Sequence, residues 1–337
     1  MRTALTTMKG LILAGTAAAL LAGCGSNGGE GAGGGAASPN SSTGEGSKLQ
    51  VVATFYPMYE FSRQVGGELA DVTGLIPAGA EPHDWEPSAK DMALISEADV
   101  FVYNGLVETW ADKALASAAN DKRVAVQASE GITLQEGVAE EEEEDGHDHG
   151  TAAEGTSDEE GGKVLDPHVW LDPVLAQKEV ANIAAAFAKA DPAHQDKYKA
   201  NADAYIAKLQ MLDQAYRDGL KTVKRHDFVT QHAAFGYLAK EYGLVQIPIA
   251  GLSPEQEPSP EQMAGVVQQA KERDIQTIFF ETLVDPKIAE TIAKEIGAKT
   301  DVLNPIEGLT EDDKQQGLDY IGIMENNLAA LQKALNE

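Results

Sequence analysis

Two separate stretches of this chain alternate short apolar, strand-like runs with helix-length segments, and that alternation limits the fold more than any other property. In the first stretch, residues 49–55, 71–76, 100–103 and 123–128 read as strands, with helices over about 88–97 and 110–119. In the second, strands at 228–230, 245–249, 277–280 and 302–303 are separated by helices at 233–242, 260–273 and 286–296, and a final helix runs over about 311–335. Parallel strands need a crossover connection, usually a helix, so strands separated by helices indicate parallel sheets. Between the stretches, residues 173–223 are helical, broken at Asp191-Pro192, where Asp191 can cap a helix whose first turn holds Pro192. The later part has no proline or glycine before Gly219 and spans roughly 45 Å at the helical rise. The expected fold is α/β, with two pseudo-symmetric parallel-sheet domains joined by one long rigid helix.

The start of the chain has a different character. Arg2 and Lys9 precede an apolar run over 11–21 that ends in Leu21-Ala22-Gly23-Cys24, the shape of a secretory leader with a small-residue cleavage site. Cys24 is the only cysteine, so it cannot form an intramolecular disulfide. The pattern resembles a bacterial lipobox, which implies that Cys24 is acylated and holds the mature protein at a membrane surface. Residues 25–47 are almost wholly Gly, Ser, Ala, Asn, Thr and Glu and read as a flexible tether. The resulting division is a leader over 1–23, a tether over 24–47 and an α/β domain over 48–172. A helical region over 173–224 and a second α/β domain over 225–337 follow. No segment beyond the leader has the roughly 18 uncharged apolar residues that span a bilayer.

Charge excludes one class of partner. The formal net charge is −28, and loss of Arg2 and Lys9 with the leader takes it to about −30. Phosphate backbones need a positive surface, whereas this one concentrates cations. Part of the excess is a block of acids over 140–145, followed by His147-Asp148-His149 and a Gly, Ser and Glu stretch. Residues 137–162 are expected to be a disordered insertion, since like charges repel and nothing apolar offsets chain entropy. Three readings of it compete: a solvated loop, an auxiliary low-affinity metal arm using His147 and His149, and a sensor of metal level.

Three of the seven histidines end strand-like runs inside Pro- or Gly-marked loops: His83 in Pro82-His83-Asp84-Trp85-Glu86-Pro87, His168 in Asp166-Pro167-His168-Val169-Trp170-Leu171-Asp172-Pro173, and His232 in Val229-Thr230-Gln231-His232-Ala233-Ala234-Phe235. Three imidazoles and one carboxylate or water complete the four-coordinate shell that zinc prefers. Glu281 is the candidate fourth ligand because it follows the apolar strand 277–280; helix capping or an ion pair also accounts for it. Asp285 is the runner-up, explained more simply as a cap before Pro286. His194 and His226 read as surface residues, and Trp85 and Trp170 as cleft packing that excludes water.

With these loops in view the chain resembles a solute-binding lipoprotein of the metal-specific ABC-transporter family, zinc-uptake branch. The likeness spans nearly the whole mature chain and includes Gly251-Leu252-Ser253-Pro254 and Phe280-Glu281-Thr282. It implies two α/β domains joined by a long helix, with one metal ion in the interdomain cleft held by His83, His168, His232 and Glu281. The manganese branch tends to place a carboxylate where His232 stands, so an imidazole there argues for Zn2+. The likeness further implies a monomeric extracytoplasmic receptor that hands zinc to an ABC permease driven by a separate ATPase, with no nucleic-acid partner. No G-x-x-x-x-G-K-[ST] phosphate loop is present. The alternatives are a manganese receptor of the same family, a membrane-anchored zinc hydrolase, and a surface adhesin. The hydrolase lacks the H-E-x-x-H signature and the adhesin leaves the histidines unexplained.

Overall fold

A computed structural model describes residues 48–137 and 164–337. The leader, Cys24, the tether and the acidic insertion with His147 and His149 lie outside the described residues.

The alternation produces two four-stranded sheets, each wholly parallel. The first contains β1 (Leu49–Ala53), β2 (Ala70–Gly74), β3 (Val100–Tyr103) and β4 (Val124–Gln127) in the order β2-β1-β3-β4. The second contains β5 (Asp227–Thr230), β6 (Val245–Pro248), β7 (Thr277–Phe280) and β8 (Lys299–Val302) in the order β6-β5-β7-β8. The two orders are the same pattern repeated. Ligand sites in such sheets form beyond the carboxyl ends of the strands, which is where every loop of interest begins.

The period of two along each strand sorts side chains between layers. In the first sheet Val51, Ala53, Val100 and Val102 enter one core, while Val52 and Phe101 face another with Ile95 and Trp110. That outer layer comprises α2 (Ala89–Glu97) and α3 (Ala111–Ser117). The second sheet divides likewise: Phe228 and Phe279 join the same core as Val51, whereas Val229 and Ile278 pack under α7 (Pro260–Glu272) and α8 (Lys287–Ile296). One face of each sheet therefore feeds a single continuous core.

That shared core is built on α1 (Tyr56–Gly66), α4 (Pro173–Ala190), α5 (Gln195–Leu220), α6 (Gly236–Tyr242) and α10 (Tyr320–Ala334). On α5, Tyr198, Ala202, Tyr205, Leu209, Leu212, Tyr216 and Leu220 are buried at steps of three and four, the apolar stripe of a packed helix. Asn201 Nδ2 on α5 donates to the Val65 carbonyl in the first half at 2.9 Å, and the Tyr216 hydroxyl donates to the Met324 carbonyl on α10 at 2.8 Å. The helix is thus fastened to both halves.

Four details depart from the sequence reading. Helix α1 is unanticipated, because Phe55-Tyr56-Pro57 reads as a strand ending at proline; Pro57 instead sits in the first turn, where its missing N–H costs nothing. The linking helix has 26 residues, about 39 Å, because a short 3-10 turn at Pro192–His194 precedes it. Strand β8 starts at Lys299 instead of 302. The final helix is two, α9 (Glu311–Gln316) and α10, separated by Gly317 at φ +68°.

Candidate metal centre

Each loop that contributes to the His and Glu cluster leaves the carboxyl end of a strand. His83 follows β2, in a loop closed by the capping box of Ser88 and Asp91 at the start of α2. His168 follows β4, after an antiparallel bridge between Glu136 and Leu165 that brackets the acidic insertion. His232 comes two residues after β5, and Glu307 lies in the loop after β8. His168 and Glu307 therefore follow the fourth strand of their respective sheets, equivalent positions in the repeated pattern.

The four side chains meet tip to tip. Glu307 Oε1 lies 3.2 Å from His83 Nε2, 3.4 Å from His168 Nε2 and 3.3 Å from His232 Nε2. The Nε2 atoms of His168 and His232 are 3.2 Å apart. One ligand atom from each of the four residues lies within 4.8 Å of the others. Zinc bonds of about 2.0–2.1 Å arranged tetrahedrally put ligand atoms roughly 3.3 Å apart, and the four separations of 3.2–3.4 Å match that spacing.

Both buried imidazoles are held by the same device. His168 donates from its backbone N–H and from Nδ1 to Asp166 Oδ1, at 2.9 and 2.8 Å. His232 donates from its backbone N–H and from Nδ1 to Glu281 Oε1, at 3.0 and 2.6 Å. A carboxylate on Nδ1 fixes ring orientation and leaves Nε2 as the coordinating atom. Glu281 is itself steadied by Gln231, whose Oε1 accepts the Glu281 backbone N–H at 3.3 Å and whose Nε2 donates to the Asp285 carbonyl. His83 is treated differently. Its backbone N–H donates to Glu81 Oε2 at 2.9 Å, but among the described residues no carboxylate is hydrogen-bonded to its Nδ1.

The fourth member is where sequence and structure part. Glu281, expected to complete the cluster, lies on the far side of the His232 ring, and the carboxylate that joins the three Nε2 atoms is that of Glu307. Asp285, the runner-up, is exposed and paired with Lys287. A charge directly after the apolar strand 277–280 points to Glu281 as a ligand, but such a residue serves equally by orienting a neighbour. Glu307 sits in Asn304-Pro305-Ile306-Glu307-Gly308, bracketed by a proline and a glycine as His83 is by two prolines. Its place after the fourth strand, matching that of His168, was the available signal.

The Glu307 loop is heavily constrained. Ile306 has φ +59°, which is rare for a β-branched residue and costs about 1–3 kcal/mol. The strain is held by Asn304 Oδ1, which accepts the Ile306 N–H at 2.8 Å, and by reciprocal bonds between Asn304 and Asn327 of α10. Trp170 Nε1 donates to the Pro305 carbonyl at 2.8 Å, tying the His168 segment of one half to the Glu307 loop of the other. Trp170 is fully buried against His168 and Phe55, as expected of cleft packing. Trp85 is not in the cleft; its ring packs at a tilt against Trp110 in the outer core. His194 and His226 are surface residues, His194 paired with Asp191.

Three buried carboxylates surrounding three imidazoles make a cation-seeking site. Burial opposes a charge on His232, but the carboxylates of Glu281 and Glu307 outweigh it and raise its pKa to about 10. His168 is raised too, with burial opposed by its bonds to Asp166 and Glu307. Burial likewise disfavours the Glu307 carboxylate, yet the charge on His232 and hydrogen bonds from all three histidines hold it well below the usual range.

Two α/β halves sharing a core around a linking helix, with a buried His3Glu cluster fed by both, define a two-lobed metal-receptor architecture. The chain belongs to the family described as zinc-uptake complex component A periplasmic, whose model matches residues 51–334. It is 50% identical over 306 residues to the high-affinity zinc uptake system protein ZnuA of Bacillus subtilis, covering 89% of this chain and 93% of that protein. It is 47% identical over 291 residues to the zinc-binding lipoprotein AdcA of Streptococcus pneumoniae, covering 86% of this chain but only 56% of AdcA. The crystal structure of the Zn(II)-bound ZnuA-like domain of Streptococcus pneumoniae AdcA superposes with a TM-score of 0.71 at 43% identity, covering 86% of this chain and all of that one.

Proposed function

We propose that this chain is an extracytoplasmic, non-enzymatic zinc receptor that binds one Zn2+ through His83, His168, His232 and Glu307 and surrenders it to the permease of an ABC importer powered by a separate ATPase. The observation that carries the proposal is the separation of 3.2–3.4 Å from Glu307 Oε1 to all three imidazole Nε2 atoms, the spacing of a filled tetrahedral shell. A full shell of protein ligands leaves no position for an activated water, so the site suits carriage instead of hydrolysis. Zinc relatives with these halves and this linking helix support the cargo assignment.

In this reading Asp166 and Glu281 set the ring orientation of His168 and His232 and, with Glu307, supply the negative charge that draws the cation in. The halves act as α/β domains over about 48–172 and 225–337, with the helical region 173–224 between them. Because α5 shares its core with both, capture proceeds through local movement of the His83 loop, without wide hinge closure. The lipobox-like sequence at Cys24 supports a lipid-anchored receptor, and the insertion with His147 and His149 supports an auxiliary zinc-collecting arm.

The test is zinc competition titration of the purified full mature chain against a chelator, beside His232→Ala and a deletion of 138–163. The expected outcome is one tight site in wild type, its loss in His232→Ala and its retention in the deletion. A wild-type protein binding zinc no better than His232→Ala contradicts the proposal. X-ray scattering of metal-free and zinc-loaded protein checks the rigidity, with no large change in radius of gyration expected.

A further inference from the structure

Tyr237 is fully enclosed in the body of the protein, five residues after His232, and its hydroxyl reaches across to the other half. That hydroxyl accepts the Gln135 backbone N–H at 2.9 Å and donates to the Asp166 backbone carbonyl at 2.8 Å. Burial pushes it up to about 12, so it keeps the proton it donates. Asp166 in turn holds His168 by both backbone N–H and Nδ1. One short segment therefore carries a ligand, His232, and also grips the residue that aims a second ligand, His168, from the opposite half.

The neighbouring residue supports the same contact. Gly236 begins α6, and a Cβ placed on it would lie 2.8 Å from Asp166 Oδ2. Only glycine lets α6 approach Asp166 this closely. The bridge between Gln135–Gly137 and Val164–Asp166, with Asp166 N–H donating to the Gln135 carbonyl at 3.0 Å, gives Tyr237 a paired backbone to grasp.

We propose that Tyr237 is a positioning residue for zinc retention: its hydroxyl, clamped between Gln135 and Asp166, fixes the spacing of His168 and His232 across the cleft. The spacing it sets is the 3.2 Å between the two Nε2 atoms. Loss of the hydroxyl lets the Asp166–His168 pair shift relative to His232, which weakens coordination without removing a ligand. Supports of this outer kind typically alter metal affinity by about 10–100-fold. The inference rests on the cluster being the zinc site.

The test measures zinc release from the full mature chain into excess chelator by stopped flow, for wild type, Tyr237→Phe, Gly236→Ala, His232→Ala and Tyr216→Phe. Tyr216 is the control, a buried tyrosine whose hydroxyl donates to the Met324 carbonyl at 2.8 Å, remote in role from the cluster. The expected result is release at least about tenfold faster in Tyr237→Phe and faster in Gly236→Ala, with Tyr216→Phe at the wild-type rate although its metal-free form melts lower. The cobalt-loaded Tyr237→Phe protein should also show a weakened tetrahedral visible band. Release at the wild-type rate in both Tyr237→Phe and Gly236→Ala, or equal acceleration in Tyr216→Phe, overturns the inference. Unchanged zinc affinity in His232→Ala sinks the site reading beneath it, a result distinct from either of these.

Discussion

His83 and His232 present the same atom to the same carboxylate oxygen, yet the two halves of the molecule hold them differently. His232 is fully buried, with ring and backbone both anchored on Glu281, and Thr230 and Gln246 bonded to its carbonyl. His83 keeps 11% of its side chain exposed, in a proline-rich loop, and its anchor to Glu81 runs through the backbone alone. His168 is likewise fully buried, with its ring and backbone N–H both anchored on Asp166. The contrast describes a fixed base of His168, His232 and Glu307 with one adjustable arm. On the proposed function, an ion is caught on that base and closed over by His83, and leaves by the reverse step.

The largest expected effect breaks the base. His232→Ala should lower zinc affinity by well over 100-fold, beyond what loss of an outer-layer support costs, as read by chelator competition. His83→Ala should lose less affinity than His232→Ala while accelerating release, because three prearranged ligands remain. Equal losses would erase the distinction between base and arm.

A smaller effect is expected from the orienting carboxylates. Asp166→Asn should weaken zinc binding by about 10–100-fold with the ligand set intact. Isothermal titration would measure this, and cobalt spectroscopy would show whether the coordination number is kept.

The next effect is one of pH. Coordination needs neutral imidazole, and an unperturbed histidine would confine the pH dependence to about 6.5 and below. Here His232 is raised to about 10, so at pH 7.5 zinc must displace a proton. Affinity should keep rising with pH above 6.5 toward 10, and proton release on binding should appear in calorimetry across buffers of different ionisation enthalpy. The metal-free protein should respond oppositely. A group whose pKa is raised on folding contributes its full stability below about 6.5 and loses it as pH rises through about 10, so the metal-free melting temperature should fall over that range.

How much of this was legible in the sequence depended on whether a residue's neighbours announce it. The three histidines stand in loops that interrupt strand and helix patterns, and all three converge. The parallel sheets follow from alternation alone. Helix α1 was hidden because the proline in its first turn reads as the end of a strand, although Met58, Phe61 and Val65 carry its buried face. Trp85 was misplaced because nearness in sequence to a ligand does not say which face of a sheet a ring covers. Glu281 directly follows the apolar strand 277–280, whereas Glu307 lies in a loop beyond β8, whose sequence Lys299-Thr300-Asp301-Val302 is mostly polar. Only the three-dimensional repeat, which sets Glu307 opposite His168, and the direction in which Glu281 turns separate the two.

Titrating zinc into Glu307→Gln and Glu281→Gln side by side distinguishes the coordinating carboxylate from the orienting one. With Glu307 among the ligands and Glu281 behind His232, Glu307→Gln should lose markedly more affinity. Its zinc absorption spectrum should also lose the carboxylate oxygen at about 2.0–2.2 Å, which Glu281→Gln retains. The reverse order, with Glu281→Gln the weaker binder and lacking that oxygen, would contradict the assignment.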